Sequence, residues 1–235
     1  MLDTKILLTN LGIEQLIPMQ EKMGKVATQQ GGVVLLSPTG SGKTLAYLLP
    51  LVSLVNPAND ALQAAVVLPT RELAQQSEDV LKRMKTGLRS MALYGGRPAM
   101  DEHRIMRELK PQIVFATPGR LLDHLGKENL SPYAVKSLVI DEFDKCLELG
   151  FQEEMESLLK YFTKATHCWL TSATDAEAIP AFMQKMTPNF KTLNYLEGDN
   201  DTKLRIEVQH VRSPQKDKLE TLGRLLTTIQ GQPSI

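Results

Sequence analysis

The chain has 235 residues, enough for one α/β domain with a buried core and a fragment of something further. Hydrophobic residues at 42% and charged residues at 23% are the proportions of a folded soluble protein and exclude a disordered one. Lys and Arg number 27 and so do Asp and Glu, so no net field draws the chain to polyanions, and any grip on nucleic acid has to come from a local site.

The N-terminus lacks a basic stretch followed by a long apolar core, so no export signal is read there. The first aliphatic run, residues 33–36, is expected to be a buried strand. It leads into Ser37-Pro38-Thr39-Gly40-Ser41-Gly42-Lys43-Thr44, and a helical run begins near Thr44. Strand, glycine-rich loop and helix in that order are the setting of a phosphate loop. Gly40 and Gly42 let the backbone close around phosphate oxygens, with amides of the loop, Thr39 and Ser41 included, facing the anion. Lys43 is expected to neutralise the β- and γ-phosphates of a nucleotide, and Thr44 to offer its hydroxyl to magnesium. The loop opens on Ser37 where the general pattern has Gly, and a turn that merely caps a helix is the simpler alternative. The apolar stretch 45–55 is broken by Ser53 and too short to span a bilayer.

Further strands are expected at 65–68, 113–116, 137–140 and 167–170, with helical spacing at 72–84, 100–109 and 152–162. Such alternation implies an α/β fold, a mostly parallel sheet with helices on both faces and ligands beyond the carboxyl ends of the strands. Thr70, Arg71, Thr117, Gly119 and Arg120 fall where strands end and helices begin, so their hydroxyls, amides and guanidinium groups are candidates for holding successive phosphates. Taken alone, the 70–72 segment also reads as a capped helix start with Arg71 and Glu72 in a solvated pair. The strand 137–140 ends in Asp141-Glu142-Phe143-Asp144. Three carboxylates in four residues are costly to bury unless a cation joins them, and magnesium is the expected cation. Asp141 is then its ligand, through water, and Glu142 orients or deprotonates the attacking water. The alternative is an acidic helix start that complements the dipole. Ser172 and Thr174 follow the next strand and can bond Asp144, relaying nucleotide state. His103, His124, His167 and His210 lack ligand spacing and read as structural, and Trp169 reads as core. Cys146 and Cys168 suggest neither disulfide nor zinc site and fit a reducing, cytoplasmic setting.

The polar stretch 197–201 reads as a linker, followed by an alternating run at 204–211 and a helical run at 216–229. The expected organisation is a domain over 1–202, then linker and the truncated start of a second domain over 203–235.

Several short motifs stand in an order that resembles DEAD-box RNA helicases over almost the whole chain. Pro18-Met19-Gln20 resembles the motif that reads adenine, and Pro38 through Thr44 motif I. Pro69-Thr70-Arg71-Glu72-Leu73-Ala74 resembles motif Ia, Gly95-Gly96-Arg97 the paired-glycine element and Thr117-Pro118-Gly119-Arg120 motif Ib. Asp141-Glu142-Phe143-Asp144 stands at motif II and Ser172-Ala173-Thr174 matches motif III. The resemblance implies a RecA-like P-loop domain that binds ATP with magnesium, Gln20 reading the base and Lys43, Asp141 and Glu142 serving hydrolysis. It also implies that Pro69, Thr70, Arg71, Gly96, Arg97, Thr117, Pro118, Gly119 and Arg120 hold the backbone of single-stranded RNA without reading its sequence. In that family a second domain closes the active site, and the expected protein is a soluble monomer. Phe143 stands where the family has Ala, and seventeen residues before Gln20, where the family has an aromatic, the chain has Asp3. Phe143 keeps open a second reading, an RNA clamp or partner-docking module that binds nucleotide without unwinding. A DNA translocase with the same core is a third.

Overall fold

A computed structural model of the chain describes residues 3–96, 99–175, 181–184, 190–196, 211–213 and 217–228. Seven strands occur among them: β1 (Gly31–Leu36), β2 (Ala64–Val67), β3 (Ser90–Leu93), β4 (Ile113–Ala116), β5 (Ser137–Ile140), β6 (His167–Ser172) and β7 (Phe190–Asn194). Every neighbouring pair is parallel, and the order across the sheet is β3-β4-β2-β5-β6-β1-β7. The five aliphatic runs are strands, as expected. β3, with Ser and Met in place of β-branched residues, and β7, half-exposed with Lys191 and Asn194, were illegible by that criterion.

Strand residues alternate between two cores. Val34, Val67, Val114, Ile140 and Leu170 face one, while Val33, Val66, Phe115, Val139 and Trp169 face the other. The second face is covered by α1 (Thr4–Leu11), α2 (Pro18–Ala27), α3 (Lys43–Leu54) and α4 (Arg71–Arg83), which bury Leu7, Met23, Tyr47 and Leu81. The first is covered by α5 (Ala99–Leu109), α6 (Pro118–Gly126), α7 (Phe143–Glu148), α8 (Gln152–Tyr161) and α9 (Ala181–Gln184), which bury Met106, Leu121, Phe143, Leu158 and Met183. Apolar runs without strict alternation follow from this, since both faces of each central strand are dry.

β5, β6 and β1 are adjacent, so the segments 141–144, 172–174 and 37–44 leave the sheet side by side at its carboxyl edge. β3, β4 and β2 deliver 94–96, 117–120 and 68–71 to the same edge farther along.

The chain divides into two units, Met1–Gly198 and Asp199–Ile235. In the second, the described helix α10 (Leu219–Thr228) buries no residue and exposes Leu219, Leu222 and Leu226. The linker expected at 197–201 and residues 204–210 of the alternating run lie outside the described residues. Among the described residues no helix is long and apolar enough to cross a membrane.

Candidate functional site

The loop 37–42 turns through left-handed conformations at Gly40 (φ 73°) and Gly42 (φ 92°), which cost a side-chain-bearing residue about 1–2 kcal/mol. Gly42 begins α3 with no side-chain cap, so the helix opens with unsatisfied amides and its positive dipole end toward the loop. Lys43 is buried, and its ammonium lies inside the loop, donating to the carbonyls of Ser37 at 2.7 Å and Pro38 at 2.8 Å. Burial lowers its pKa, opposed by the charges of Asp141, Glu142 and Asp144. Ser41 accepts a hydrogen bond from the Ser37 hydroxyl at 2.7 Å, while Thr39 is exposed and Thr44 half-buried.

Gln20, buried on α2, accepts from the Ile17 amide at 3.1 Å and donates to the Gly42 carbonyl at 3.3 Å. One N–H and one lone pair of its side-chain amide remain for a further partner.

Asp141 and Asp144 are both buried, and each has its own donors. Asp141 Oδ2 accepts from the Tyr47 hydroxyl at 3.0 Å and Oδ1 from the Thr171 hydroxyl. Asp144 Oδ2 accepts from the Thr174 hydroxyl at 2.9 Å and the Ala173 amide at 3.3 Å. Its Oδ1 is buried without a partner. Glu142 is only half-buried and holds a left-handed backbone, φ 50° and ψ 50°. Hydroxyl donors thus reach both oxygens of Asp141, while the donors to Asp144 leave one of its oxygens unpaired. Burial raises the pKa of Asp141, against hydrogen bonds from Thr171 and Tyr47 and the charge of Lys43. Glu142 is raised by burial first and by the charge of Asp141 second. Ser172 bonds the Thr174 carbonyl at 2.7 Å and its amide at 3.1 Å, not Asp144, so it shapes the turn and Thr174 makes the contact.

Farther along the edge, Pro69, Thr70, Arg71, Gly95, Thr117, Gly119 and Arg120 line one depression of about 560 Å³. Thr70 caps α4, accepting from the Leu73 amide at 3.3 Å. Thr117 stands before α6 without using its side chain as a cap, and Pro118 occupies the first turn, so the amides of Gly119 and Arg120 open the helix. Both guanidinium groups are engaged. Exposed Arg71 pairs with Glu72 at 2.6 Å. Arg120 Nε is 2.8 Å from Glu102 Oε2, which is buried, and its Nη1 is 3.8 Å from Asp123. His124 Nε2 reaches the same Glu102 oxygen at 2.9 Å, and Asn129 meets Nδ1 at 3.2 Å, so the proton belongs on Nε2. Burial opposes the charge of Glu102, but the bonds from His124 and Arg120 outweigh it and hold its pKa down. Gly96 is described, with φ 94°; Arg97 lies outside the described residues.

Tyr47, Thr171 and Glu102, and Ser77 which meets the Tyr47 hydroxyl at 3.2 Å, belong to no motif. Tyr47 had a signal, since it lies four residues after Lys43 on one helical face. Thr171 was a hydroxyl placed just past the end assigned to its strand. Glu102 had none, because its partner Arg120 is 18 residues away.

This sheet, with its glycine-rich loop after an inner strand, defines a RecA-like α/β domain. The model of the DEAD/DEAH box helicase family matches residues 17–181, and the chain belongs to that family. The ATP-dependent RNA helicase CshA of Listeria monocytogenes is 34% identical over 231 residues, covering 96% of this chain and 44% of the relative. A DEAD box protein from the hyperthermophile Methanococcus jannaschii superposes with a TM-score of 0.76 at 29% identity, over 96% of this chain and 61% of that one. Mss116p bound to ssRNA and AMP-PNP gives 0.69 at 28% identity, over 82% of this chain and 43% of that one. The chain thus spans less than half the length of the curated relative.

Proposed function

We propose that this chain is the ATP-binding half of an ATP-dependent RNA helicase, which binds ATP with magnesium and single-stranded RNA and drives duplex remodelling when joined to a second helicase domain. The observation that carries the reading is the juxtaposition, at one sheet edge, of the Lys43 loop, Asp141 and the Asp144–Thr174 contact. The ATP-dependent RNA helicase activity of CshA and the ssRNA and AMP-PNP held by Mss116p support it.

In this reading the loop amides and the start of α3 cradle the phosphates, and Lys43 exchanges its carbonyl partners for phosphate oxygens. Gln20 turns its remaining N–H and lone pair to adenine. Magnesium, when bound, neutralises and orients the terminal phosphates. The residues suit it: Asp141 offers a buried carboxylate, and the unpartnered Asp144 Oδ1 adds a buried acceptor. Magnesium suits a site with few protein ligands because it keeps waters and is carried on phosphates. Thr44 and Asp141 are its protein side. Glu142, half-exposed with a raised pKa, orients the attacking water and takes its proton.

The 560 Å³ depression holds the RNA backbone through the Thr70 and Thr117 hydroxyls and the amides of Gly119 and Arg120. The guanidinium groups contribute less charge than their number suggests, because each already has a carboxylate partner. Pro69, Pro118, Gly96 and Arg97 complete the proposed track. Asp144 and Thr174 couple it to the nucleotide, with Ser172 shaping the turn that holds Thr174. The domain spans 1–202, with the linker and the start of the second domain over 203–235; the protein acts as a cytoplasmic monomer. The test is phosphate release by the full-length protein with RNA, with DNA and with neither. RNA-specific stimulation lost in Lys43→Ala is expected, and DNA stimulation or unaltered turnover in that variant would refute the reading.

A further inference from the structure

The Asp141 carboxylate is clamped from two sides by groups outside the family motifs named above. Tyr47, fully buried in α3, places its hydroxyl 3.0 Å from Oδ2 and 3.2 Å from the Ser77 hydroxyl of α4. An ionised carboxylate only accepts, so the single Tyr47 proton goes to Asp141, and Ser77 donates to the Tyr47 oxygen. On the other side Thr171, also fully buried, donates to Oδ1. The same Thr171 oxygen accepts from the Glu142 amide at 3.1 Å. Its one proton and its lone pair therefore serve two successive residues of the acidic segment.

That double duty coincides with backbone strain. Glu142 sits at φ 50°, a conformation unfavourable for a residue with a side chain, which persists only where surroundings hold it. The Thr171 bond to its amide is such a restraint. Tyr47 adds a second link, because it lies one helical turn beyond Lys43 in α3. The helix that presents the loop lysine thus also fixes the rotamer of the carboxylate across from it. A rigid polar network of this kind, closed to water, holds a side chain to one orientation.

We propose that Tyr47 and Thr171 are positioning residues that fix the Asp141 carboxylate, and through Thr171 the Glu142 backbone, in the orientation in which Asp141 meets the water shell of a magnesium–nucleotide. This rests on the ATP-binding reading of the site. Neither residue touches nucleotide or metal. Thr171 acts through Asp141, and Tyr47 through Asp141 and the Thr44 hydroxyl, the two residues proposed to face the metal, so their removal changes how metal contributes to binding and leaves the metal-free affinity intact.

The experiment measures binding of mant-ADP to the full-length protein in EDTA and across a magnesium titration, for wild type, Tyr47→Phe, Thr171→Val and Thr171→Ser. Circular dichroism and thermal melting establish that each is folded. Both hydroxyl-free variants are expected to need about tenfold more magnesium for half-maximal effect, the worth of one hydrogen bond to a charged group. Their EDTA affinity stays at the wild-type value, and Thr171→Ser, which keeps the hydroxyl, restores the magnesium dependence. Folded variants with wild-type magnesium dependence would overturn the inference while leaving the nucleotide site standing. So would an equal loss with and without metal, which marks a role confined to folding. Wild type that binds mant-ADP in neither condition would instead refute the ATP-binding reading, and the inference with it.

Discussion

Gln20 and Gly42 meet so closely that a side chain on the glycine would have to push the Gln20 amide aside: Gln20 Nε2 donates to the Gly42 carbonyl at 3.3 Å, and a Cβ at position 42 would stand 2.6 Å from that nitrogen. The contact ties α2 to the phosphate loop across 22 residues. Gly42→Ala therefore displaces the Gln20 amide and also strains a backbone at φ 92°. The expected loss of magnesium–ADP affinity is at least about tenfold, since strain alone costs about 1–2 kcal/mol. Isothermal calorimetry decides it, and wild-type affinity in the variant would mean that the loop tolerates the shift.

Asp141 predicts a conflict between stability and chemistry. Burial raises its pKa above the ordinary 3.8. A carboxyl raised in the folded state contributes stability fully below its unfolded pKa and loses that contribution as pH rises through the folded value. At neutral pH the ionised group thus weakens the fold. Asp141→Asn is expected to abolish hydrolysis and raise the melting temperature at pH 7 by a few degrees, the effect of about 1 kcal/mol in a domain of this size. The advantage shrinks as pH falls toward 4. Calorimetric scans at pH 7 and pH 5 test it, and a lower melting temperature at pH 7 would show that the Tyr47 and Thr171 bonds outweigh burial.

What was legible follows from how local each signal is. The five central strands announced themselves because both faces are dry and their residues aliphatic, as at 137–140. The phosphate loop was legible because Gly40, Gly42 and Lys43 are contiguous. The partners of Asp141 were not: Tyr47 and Thr171 come from elements 94 and 30 residues away, and only the sheet order brings them together. For the same reason Arg120 read as an open cation, while the fold pairs it with Glu102, 18 residues earlier; the Arg71–Glu72 pair, between neighbours, was open to reading from the sequence.

Phe143 replaces the family's Ala, and the fold absorbs it: its side chain is 2% exposed in the same core as Leu121, Leu158 and Leu170. It points away from the hydroxyl network into packing, so Phe143→Ala is expected to leave a cavity and cost about 3–5 kcal/mol. Chemical denaturation of the full-length protein measures this. An unchanged midpoint would show that α7 collapses onto β6 without it.

The 235-residue chain by itself is expected neither to hydrolyse ATP rapidly nor to unwind a duplex. Phosphoryl transfer spreads charge over the transferring group, and a cation on its open side contributes roughly three to five orders of magnitude. Lys43 lies within the loop, bound to Ser37 and Pro38, and serves the side already enclosed. Arg71 and Arg120 line the depression at the other part of the edge, each paired with a carboxylate, so neither is placed to act as that cation. A second domain, as in relatives more than twice this length, is the expected source. RNA is expected to bind weakly for a parallel reason, because hydroxyls and helix amides on one side of a strand form half a clamp. Steady-state phosphate release with and without RNA, run beside the full-length protein, tests both statements. Strong RNA-stimulated turnover by the short chain would place the missing cation within these 235 residues, and a full-length protein equally silent would remove the second domain from the mechanism.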